Sequence, residues 1–386
     1  MRQAVSGQVA RHWIVAGALA FGLLLAAGQA RAIDTLGREA IVLDYETGTP
    51  ILEKNADERV GPASMTKLMT VYLIFERLKE GSLSLDDMLP VSEKAWRMGG
   101  SKMFVKVGER VRLEDLLLGI IVQSGNDATI VAAEAIAGSE EAFARLMTAK
   151  AKQLGMNATN FTNASGWPDP ELYSTVRDLA TLSMALIHTF PDYYHYYSVM
   201  EFTYGGIRQG NRNPLLYRNV GADGLKTGHT EESGYGLAFS AVRDGHRLVG
   251  VLHGLPSMQS RADEAGKLLD WAFREWESIP LFTAGQIVDQ APVWLGSQST
   301  VPVVASHDVR ASVLRKDRAQ MQVSVRYAGP VPAPIAVGDH VGDIVIRLPG
   351  RKDMVVPLTA AAAVGELGAI SRAKAALDYL LFGPGS

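Results

Sequence analysis

One stretch of the chain, residues 64–78, is apolar at nearly every position of a helical pattern. Its large apolar side chains are Met65, Leu68, Met69, Val71, Tyr72, Leu73, Ile74, Phe75 and Leu78. A helix that is apolar on all sides is typical of the buried centre of a domain. Pro62 precedes the first turn and Gly81 follows the last, as is common at helix ends. We therefore expect a central buried helix, with the rest of its domain packed around it.

Strand-like segments stand on both sides of a long helix-rich region. The strand-like segments are residues 40–45, residues 51–54, a strand that begins at Gly224, residues 235–242 and residues 247–252. The helix-like segments are residues 110–122, 126–137, 139–154, 174–188 and 261–275. Asp244 and Gly245 are a turn signal between the last two strands. This order predicts an antiparallel sheet that carries a helical insert, which is an α+β architecture.

A change of pattern near residue 281 predicts a second domain. From there the chain has short alternating segments that are separated by prolines and glycines, which is typical of a small all-β domain. Helical periodicity returns at residues 369–382, where Ile370, Ala373, Leu377, Leu380 and Leu381 fall on one face. We therefore predict domains at residues 33–280 and 281–366, followed by an amphipathic helix within residues 367–386. Such a helix binds a membrane surface or docks onto the β domain, and both remain open.

The first 32 residues have the layout of an export signal. Arg2, Arg11 and His12 precede an uncharged apolar stretch at residues 13–27, and Ala30-Arg31-Ala32 follows it. The apolar stretch is too short to favour a permanent membrane span, and the small residues after it are typical of a cleavage site. We therefore expect a signal peptide in residues 1–32, which is cleaved before Ile33.

Charge and composition exclude several classes of function. Residues 1–32 contain three arginines and no acid, so residues 33–386 carry 35 basic and 41 acidic side chains, a net charge of −6. Such a surface argues against a nucleic-acid partner. The chain has no cysteine, so it forms no disulfide. Its eight histidines are scattered and form no H-E-x-x-H pair, so we expect no metal and no other cofactor.

Candidate chemistry lies at the start of the central helix, at Ser64 and Lys67. A serine in the first turn of a helix faces free backbone N–H groups and the positive end of the helix dipole. A lysine three residues later lies on the same face, and a neutral lysine can take the serine proton and so activate a nucleophile. On its own, a serine and a lysine at this spacing are more often a cap and a solvated side chain.

Two later motifs change that interpretation. Ser124-Gly125-Asn126 follows an apolar helical segment, and Lys226-Thr227-Gly228 opens a predicted strand. The set S-x-x-K, S-D-N and K-T-G marks class A β-lactamases and penicillin-binding proteins. All three motifs occur here in that order, with glycine at the middle position of the second. The chain therefore carries the signature of an acyl-transferring serine enzyme.

With these motifs in view, the chain resembles the low-molecular-mass penicillin-binding proteins, specifically the D-alanyl-D-alanine carboxypeptidases. The resemblance covers nearly the whole chain after the signal segment. It also includes residues 100–104, 211–213 and 228–230, and Arg261 with the segment 267–271 that follows it. It implies a β-lactamase/transpeptidase-like catalytic domain for the antiparallel sheet and its helical insert. The S-G-N form of the second motif fits this family better than it fits class A β-lactamases, and the Glu-x-x-x-Asn element of those enzymes is missing.

The resemblance implies a mechanism for the catalytic residues. Ser64 attacks the carbonyl between the two terminal D-alanines of a peptidoglycan stem peptide, and Lys67 is its base. Lys67 must be neutral to act, so burial and a second cation, for which we predict Lys226, must lower its pKa. Ser124 relays the proton to the departing D-alanine, and Asn126 holds the substrate amide or Lys67. Water then hydrolyses the acyl-enzyme, whereas β-lactams acylate Ser64 and leave slowly.

The predicted substrate-binding residues are Thr227, Gly228, His229, Arg212 and Arg261. The backbone N–H groups of Ser64 and His229 would form the oxyanion hole. Thr227 and the two arginines would bind the terminal carboxylate of the substrate. Two of these assignments have structural alternatives, because Arg212 can order a loop and Arg261 can pair with a nearby acid at its own helix start.

The resemblance also implies partners and a location. The expected partners are the stem peptide and β-lactam inhibitors. The expected location is the periplasm, with peripheral attachment to the inner membrane through the terminal helix. Three alternative functions remain open: a β-lactamase, a DD-endopeptidase that acts on cross-links, and an envelope protein that binds penicillin but scarcely turns over. Both lysines of the motifs are intact, which argues against the last.

Overall fold

The central helix forms where the apolar run predicts it. In the computed structural model, which describes residues 33–371 and residue 373, a 3₁₀ turn at Ala63–Thr66 leads directly into helix α1, Lys67–Lys79. Helix α1 is buried on all sides, including the polar side chains of Lys67 and Thr70. A charged residue is almost never fully buried without a specific role or partner. The buried Lys67 at the start of α1 is therefore a candidate functional residue.

Seven further helices are described between residues 93 and 275. They are α2 (Glu93–Arg97), α3 (Leu113–Val122), α4 (Asn126–Ala137), α5 (Glu140–Gln153), α6 (Val176–Thr189), α7 (Pro191–Tyr194) and α8 (Met258–Glu275), with 3₁₀ turns at His195–Ser198, Pro214–Tyr217 and Arg315–Gln320. Side-chain caps fix several of their starts. Ser139 accepts from the Ala142 N–H before α5, and Thr175 accepts from the Asp178 N–H before α6.

The main sheet is antiparallel throughout, as predicted. The strands of this part of the chain are β1 (Glu39–Asp44), β2 (Pro50–Lys54), β3 (Met88–Pro90), β4 (Arg110–Arg112), β5 (Glu201–Tyr204), β6 (Ile207–Gly210), β7 (Ala222–Thr230), β8 (Gly234–Arg243) and β9 (His246–Leu255). The sheet has the order β2-β1-β9-β8-β7, and β3-β4 and β5-β6 are separate pairs. Arg243 pairs with His246 across the predicted Asp244-Gly245 turn. Strand β7, which carries the K-T-G motif, is an edge of this sheet.

Two predicted helices begin at other residues than the pattern indicated. The predicted helix 110–122 is wrong at its start, because residues 110–112 form strand β4, which pairs with β3, and α3 begins at Leu113. Helix α8 begins at Met258, three residues before the predicted start, because Ser257 caps it and accepts from the Ser260 N–H. Propensity alone places element boundaries poorly, since pairing and capping decide them.

The strand-rich part after α8 confirms the predicted all-β composition. Its strands are β10 (Trp276–Phe282), β11 (Ile287–Trp294), β12 (Thr300–Val304), β13 (Val309–Leu314), β14 (Gln322–Tyr327), β15 (Val331–Pro332), β16 (His340–Arg347) and β17 (Met354–Ala360). Six of them form the sheet β14-β16-β17-β12-β11-β15, and β10 pairs with β13. Their apolar side chains form a core of their own, which includes Val301, Ile344 and Leu358. The fold is therefore α+β with a strand-rich second part, whereas the exact domain boundaries stay predictions.

The predicted terminal helix lies mostly outside the described residues. Residues 369–371 are helical and exposed, and nothing beyond residue 373 is described. The predicted signal segment also lies outside the described residues. Among the helices of residues 33–371, none has the length and apolar character that a membrane crossing needs.

Candidate active site

The Ser64 and Lys67 side chains meet because the first turn before α1 is a 3₁₀ turn. In 3₁₀ geometry the side chains of residues i and i+3 eclipse each other. The Lys67 Nζ accordingly lies 2.9 Å from the Ser64 Oγ. Lys67 is fully buried, whereas Ser64 is only half-buried and remains accessible from the cleft. A nucleophile that is reachable from solvent thus lies next to an amine that is not.

Two further acceptors fix the Lys67 amine. Its Nζ lies 2.7 Å from the Asn126 Oδ1 and 2.6 Å from the Ser165 carbonyl oxygen. An ammonium has three donors and no acceptor, so Ser64, Asn126 and Ser165 together match its full donor set. This geometry orients the amine toward Ser64 without ion-pairing it to a carboxylate.

Burial controls the charge of Lys67. Desolvation, and to a smaller extent the nearby positive charge of Arg212, lower its pKa from the usual value near 10.5 to about 7, whereas the carboxylate of Asp127 opposes both effects. A buried amine is neutral at lower pH because a charge is costly in a low-dielectric interior. Near neutral pH, a substantial fraction of Lys67 is therefore the free base.

Lys226 is buried as well, and its pKa is also lowered. Burial lowers the pKa of Lys226 well below its usual value, and Lys67, Arg212 and Arg261 add to the effect. The cation that contributes to the lowered pKa of Lys67 is Arg212. The part predicted for Lys226 in lowering the pKa of Lys67 stays a prediction.

Gly228 allows strand β7 to lie close to the 3₁₀ turn that carries Ser64. A Cβ on Gly228 would lie 2.9 Å from the Pro62 carbonyl oxygen and 3.2 Å from the Met65 Cγ. Only a residue without a side chain lets β7 approach the 3₁₀ turn this closely. The approach brings the buried Thr227 next to the start of α1. The close packing of β7 on this turn therefore requires glycine at position 228, in addition to the predicted contact of Gly228 with the substrate.

The second motif forms the opposite wall. Ser124 lies between α3 and α4 with a φ of 68°, an uncommon value for a residue with a side chain. Its buried Oγ has no hydrogen-bond partner within the described chain. Asn126 opens α4, where its Nδ2 donates to the Gly99 carbonyl at 2.9 Å and its backbone N–H donates to the Ser101 carbonyl at 2.7 Å. A buried polar group without a partner is costly unless it serves a purpose, so the free Ser124 hydroxyl is available for a substrate.

The predicted arginines and His229 each contact another side chain. Arg212 donates from Nη1 to the Ser101 Oγ at 2.6 Å. Arg261 is buried, its guanidinium lies over the Tyr235 ring at 5.7 Å, and burial lowers its pKa to about 10. The His229 ring is exposed and stacks on the same tyrosine at 3.9 Å between ring centres. Tyr235 therefore links two predicted substrate-binding residues.

The acids near the start of α8 have other side chains as partners. Asp263, an acid near the start of α8, accepts from the Arg218 Nη2 at 2.6 Å. Glu264 accepts from Lys267 at 3.2 Å. The buried Arg261 Nε has no hydrogen-bond partner within residues 33–371. A buried guanidinium without a carboxylate partner is suited to an anionic ligand.

The sequence analysis did not identify the loop at residues 163–167, whose Ser165 carbonyl accepts a hydrogen bond from Lys67. In the 163–167 loop, Asn163 Oδ1 accepts from the backbone N–H groups of Gly166 at 2.8 Å and Trp167 at 3.0 Å. A Cβ on Gly166, whose φ is +80°, would lie only 1.8 Å from the Ala63 carbonyl oxygen. The signal was an asparagine two residues before Ser-Gly, which is typical of a tight Asx-type turn. The loop thus packs closely against the turn that carries Ser64.

A cavity of about 710 Å³ adjoins this loop without containing the reacting groups. Its lining includes Ala63, Gly166 and Thr230, but neither Ser64 nor Lys67. The walls also carry charges of both signs, among them Arg59 and Glu232. The candidate catalytic side chains therefore do not line this cavity.

One group of possible metal ligands occurs in the described part of the chain, away from this cleft. Ligand atoms of Asp44, Glu46 and His246 lie within 4.8 Å of one another. The Asp44 Oδ2 is 2.8 Å from the His246 Nε2, and its Oδ1 accepts from the Thr47 N–H at 2.9 Å. Protein groups thus already engage the Asp44 carboxylate, and we assign no metal to this group.

The geometry supports one kind of chemistry. An accessible serine hydroxyl lies beside a buried amine that is partly neutral near pH 7, and a second serine hydroxyl without a partner faces the same cleft. Such an arrangement is suited to covalent acyl transfer by a serine nucleophile with a lysine base. The buried basic side chains of Lys226 and Arg261 are suited to a substrate that ends in a carboxylate, whose negative charge favours their protonated forms.

Comparison with known proteins places the fold and the motifs in context. Residues 26–256 match a family described as D-alanyl-D-alanine carboxypeptidase, and residues 276–366 match one described as penicillin-binding protein 5, C-terminal domain. D-alanyl-D-alanine carboxypeptidase DacC of Escherichia coli strain K12 is 39% identical over 344 residues, which are 87% of this chain and 86% of the relative. Similarity on this scale covers both the cleft and the strand-rich part that follows it.

Solved structures give the same picture. Penicillin binding protein 5 from Haemophilus influenzae aligns with a TM-score of 0.83 at 35% identity, over 86% of this chain and 99% of that one. Penicillin-binding protein D2 of Listeria monocytogenes, solved in an ampicillin-bound form, aligns with a TM-score of 0.58 at 30% identity, over 62% of this chain and 98% of that one. The second structure shows that a protein of this fold binds a β-lactam.

Proposed function

Because the chain belongs to the D-alanyl-D-alanine carboxypeptidase family, we propose that Ser64, Lys67, Ser124, Asn126 and Lys226 are its catalytic residues. The protein is a serine hydrolase that removes the terminal D-alanine from peptidoglycan stem peptides and binds β-lactams. One observation supports this assignment of roles more strongly than the others. The Lys67 amine, fully buried and with a pKa lowered to about 7, lies 2.9 Å from the Ser64 hydroxyl.

In the proposed acylation step, Ser64 is the nucleophile and Lys67 the base. Neutral Lys67 takes the Ser64 proton as the Oγ attacks the carbonyl carbon of the penultimate D-alanine. The Asn126 and Ser165 oxygens keep the resulting ammonium hydrogen-bonded, so the charge that forms in the transition state is stabilised. The negative charge that develops on the substrate oxygen is received by the backbone N–H groups of Ser64 and His229. No metal or other cofactor takes part in this scheme.

The second wall of the cleft serves the leaving group. In this proposal the Ser124 hydroxyl, which has no hydrogen-bond partner within the described chain, gives its proton to the nitrogen of the departing D-alanine and takes one from the Lys67 ammonium, so Lys67 becomes neutral again. Asn126 keeps Lys67 in position with its oxygen and is anchored by its Nδ2 on the Gly99 carbonyl. A water molecule then hydrolyses the acyl-enzyme, with Lys67 as base once more.

The carboxylate of the terminal D-alanine is proposed to lie against β7. Lys226, Thr227 and Arg261 are each buried, and the Arg261 Nε has no hydrogen-bond partner within the described residues. Charge-assisted hydrogen bonds to a carboxylate are about twice as strong as neutral ones. Arg212 lies across the cleft on Ser101 and adds positive charge. Gly228 lets the strand, and with it the His229 backbone, approach the reacting carbonyl.

We expect the wild-type protein to release free D-alanine from a D-Ala-D-Ala-terminated stem peptide faster than it hydrolyses a chromogenic cephalosporin at equal concentration. The S-G-N motif and the missing Glu-x-x-x-Asn element motivate this expectation. D-alanine is quantified enzymatically and the peptide product by mass. Rapid cephalosporin turnover without D-alanine release would favour the β-lactamase alternative, and cleavage of cross-linked dimers but not of monomers would favour the endopeptidase.

We also propose a cellular location for the enzyme. The charged start, apolar stretch and Ala-x-Ala of residues 1–32 support export through a cleaved signal peptide. Export places the enzyme in the periplasm, next to its cell-wall substrate. The apolar face of residues 369–382 supports a weak, peripheral and reversible attachment to the inner membrane.

Deletion of residues 369–386 is expected to move the protein from the membrane fraction to the soluble periplasmic fraction. D-alanine release from soluble peptides should not change, because the proposed catalytic residues lie far earlier in the chain. Fractionation followed by fluorescent-penicillin labelling measures both effects. If the full-length protein is already wholly soluble, or if the deletion unfolds the β strands before it, the helix has a structural role and the attachment fails.

A further inference from the structure

Asp127, the second residue of α4, is fully buried and has no part in the mechanism above. Its carboxylate accepts three backbone hydrogen bonds from a distant segment. The Oδ1 accepts from the Met103 N–H at 2.9 Å, and the Oδ2 accepts from the N–H groups of Phe104 at 2.8 Å and Val105 at 3.2 Å. A buried carboxylate is costly unless such bonds compensate it, so this arrangement holds one conformation of that segment.

The segment held by Asp127, residues 99–105, contributes directly to the cleft. Its Gly99 carbonyl accepts from the Asn126 Nδ2 at 2.9 Å, and its Ser101 carbonyl accepts from the Asn126 N–H at 2.7 Å. The Ser101 hydroxyl accepts from the Arg212 Nη1 at 2.6 Å. One end of the segment is therefore fixed by Asp127, and the other end positions Asn126 and Arg212.

Asp127 also acts on the cleft through its charge. The charged groups that face the Lys67 amine from neighbouring elements are Arg212, Lys226 and Asp127. Arg212 disfavours a cation at Lys67, whereas Asp127 favours one, and Lys67 disfavours a cation at Lys226. Asp127 does not hydrogen-bond Lys67, whose acceptors are Ser64, Asn126 and Ser165. Its direct effect on Lys67 is thus electrostatic, in addition to the effect of the segment that it fixes.

We propose that Asp127 is a positioning residue of this active site, whose carboxylate fixes the 99–105 segment against α4 and whose negative charge balances the cations around Lys67. The proposal rests on the proposed function of Lys67 as base. The two effects act on different observables. Loss of the hydrogen bonds misplaces the segment and slows acylation at every pH. Loss of the charge changes the pH at which Lys67 becomes available as a base.

Asp127→Asn separates these effects from simple destabilisation. Acylation by a fluorescent penicillin is measured as a second-order rate constant from pH 5 to pH 9. In the wild type the rate rises with pH as Lys67 loses its proton, with a midpoint near the Lys67 pKa of about 7. Without the carboxylate the Lys67 cation is less favoured, so the rise moves to lower pH. On the plateau, misplacement of the segment should reduce the rate on the order of tenfold to a hundredfold.

Asp127→Glu keeps the charge but lengthens the side chain by one methylene. We expect it to slow acylation on the plateau while leaving the midpoint of the pH profile near that of the wild type. Asp178→Asn is the matched control. Asp178 also lies in the first turn of a helix, α6, and accepts from the Ala158 N–H at 3.0 Å and the Thr159 hydroxyl at 2.6 Å, but away from Lys67. It should lower the melting temperature without moving the midpoint.

Hydrogen exchange tests the structural half of the proposal directly. Asparagine offers one acceptor oxygen where aspartate offers two, so the amides of either Met103 or the Phe104–Val105 pair should exchange faster in Asp127→Asn. An unshifted midpoint in a folded Asp127→Asn variant, or wild-type plateau rates in both variants, would overturn the proposal. If Asp127→Asn does not fold, the decision rests on Asp127→Glu, and a midpoint moved to lower pH there would overturn it too. Failure of wild-type acylation itself would instead refute the proposed function.

Discussion

Replacement of Ser64 by alanine is expected to abolish covalent labelling by a fluorescent penicillin and to stop D-alanine release. We expect a loss of at least about 10⁴-fold, because no other group can form the acyl-enzyme. The Ser124 hydroxyl does not substitute, since the Lys67 amine is hydrogen-bonded to Ser64 at 2.9 Å and not to Ser124. Labelling is followed on denaturing gels and by intact-protein mass.

The matched control for this variant is Ser139→Ala. Ser139 caps α5 and accepts from the Ala142 N–H, away from the cleft. Its replacement should lower the free energy of unfolding by about 1 kcal/mol and leave labelling intact. Ser64→Ala should show the reverse, with a nearly unchanged melting temperature and no label. Undiminished labelling of a folded Ser64→Ala variant would mean that the nucleophile has been misassigned.

Lys67→Arg is expected to reduce acylation by at least about 10³-fold at every pH between 5 and 9. Arginine cannot be deprotonated in a protein, so it retains the positive charge but cannot act as a base. The wild type should instead show a rate that rises with pH through about 7, where the buried Lys67 loses its proton. The measurement is the pH dependence of penicillin acylation in stopped flow.

Lys226→Arg is the control in the same cleft. Its proposed part is to bind the terminal carboxylate, and a guanidinium can do this too. We therefore expect Lys226→Arg to retain more acylation than Lys67→Arg and to keep a pH-dependent rise. A Lys67→Arg variant with a wild-type pH profile would contradict the assignment of Lys67 as the base and would direct attention to Lys226.

Much of the fold could be predicted because it follows from local patterns. The all-round apolar character of α1 and the Asp244-Gly245 turn each determine their structure within a few residues. Strand β4 was mispredicted because Arg110–Arg112 pairs with Met88–Pro90, and pairing between segments so far apart leaves no local signal. Long-range contacts therefore limited the prediction of the fold.

The same distinction holds for the candidate site. The three motifs located Ser64, Ser124 and Lys226 because each has a distinctive neighbourhood in the sequence. The part of Arg212 in the titration of Lys67 could not be predicted, since it depends on which cations are buried and how close they lie. Asp127 directly follows a recognised motif, yet its role appears only once the 99–105 segment is folded onto it.

The hydrogen bond from Lys67 to the Ser165 carbonyl has a consequence for how the gene can change. The acceptor belongs to the main chain, so every amino acid at this position provides it. Substitution at residue 165 changes the side chain but leaves a carbonyl to receive the proton of the amine. Asn126, in contrast, supplies its oxygen from a side chain that a single nucleotide change can remove. Inherited variation that alters drug binding should therefore arise more readily on the Asn126 side of the lysine than on the Ser165 side.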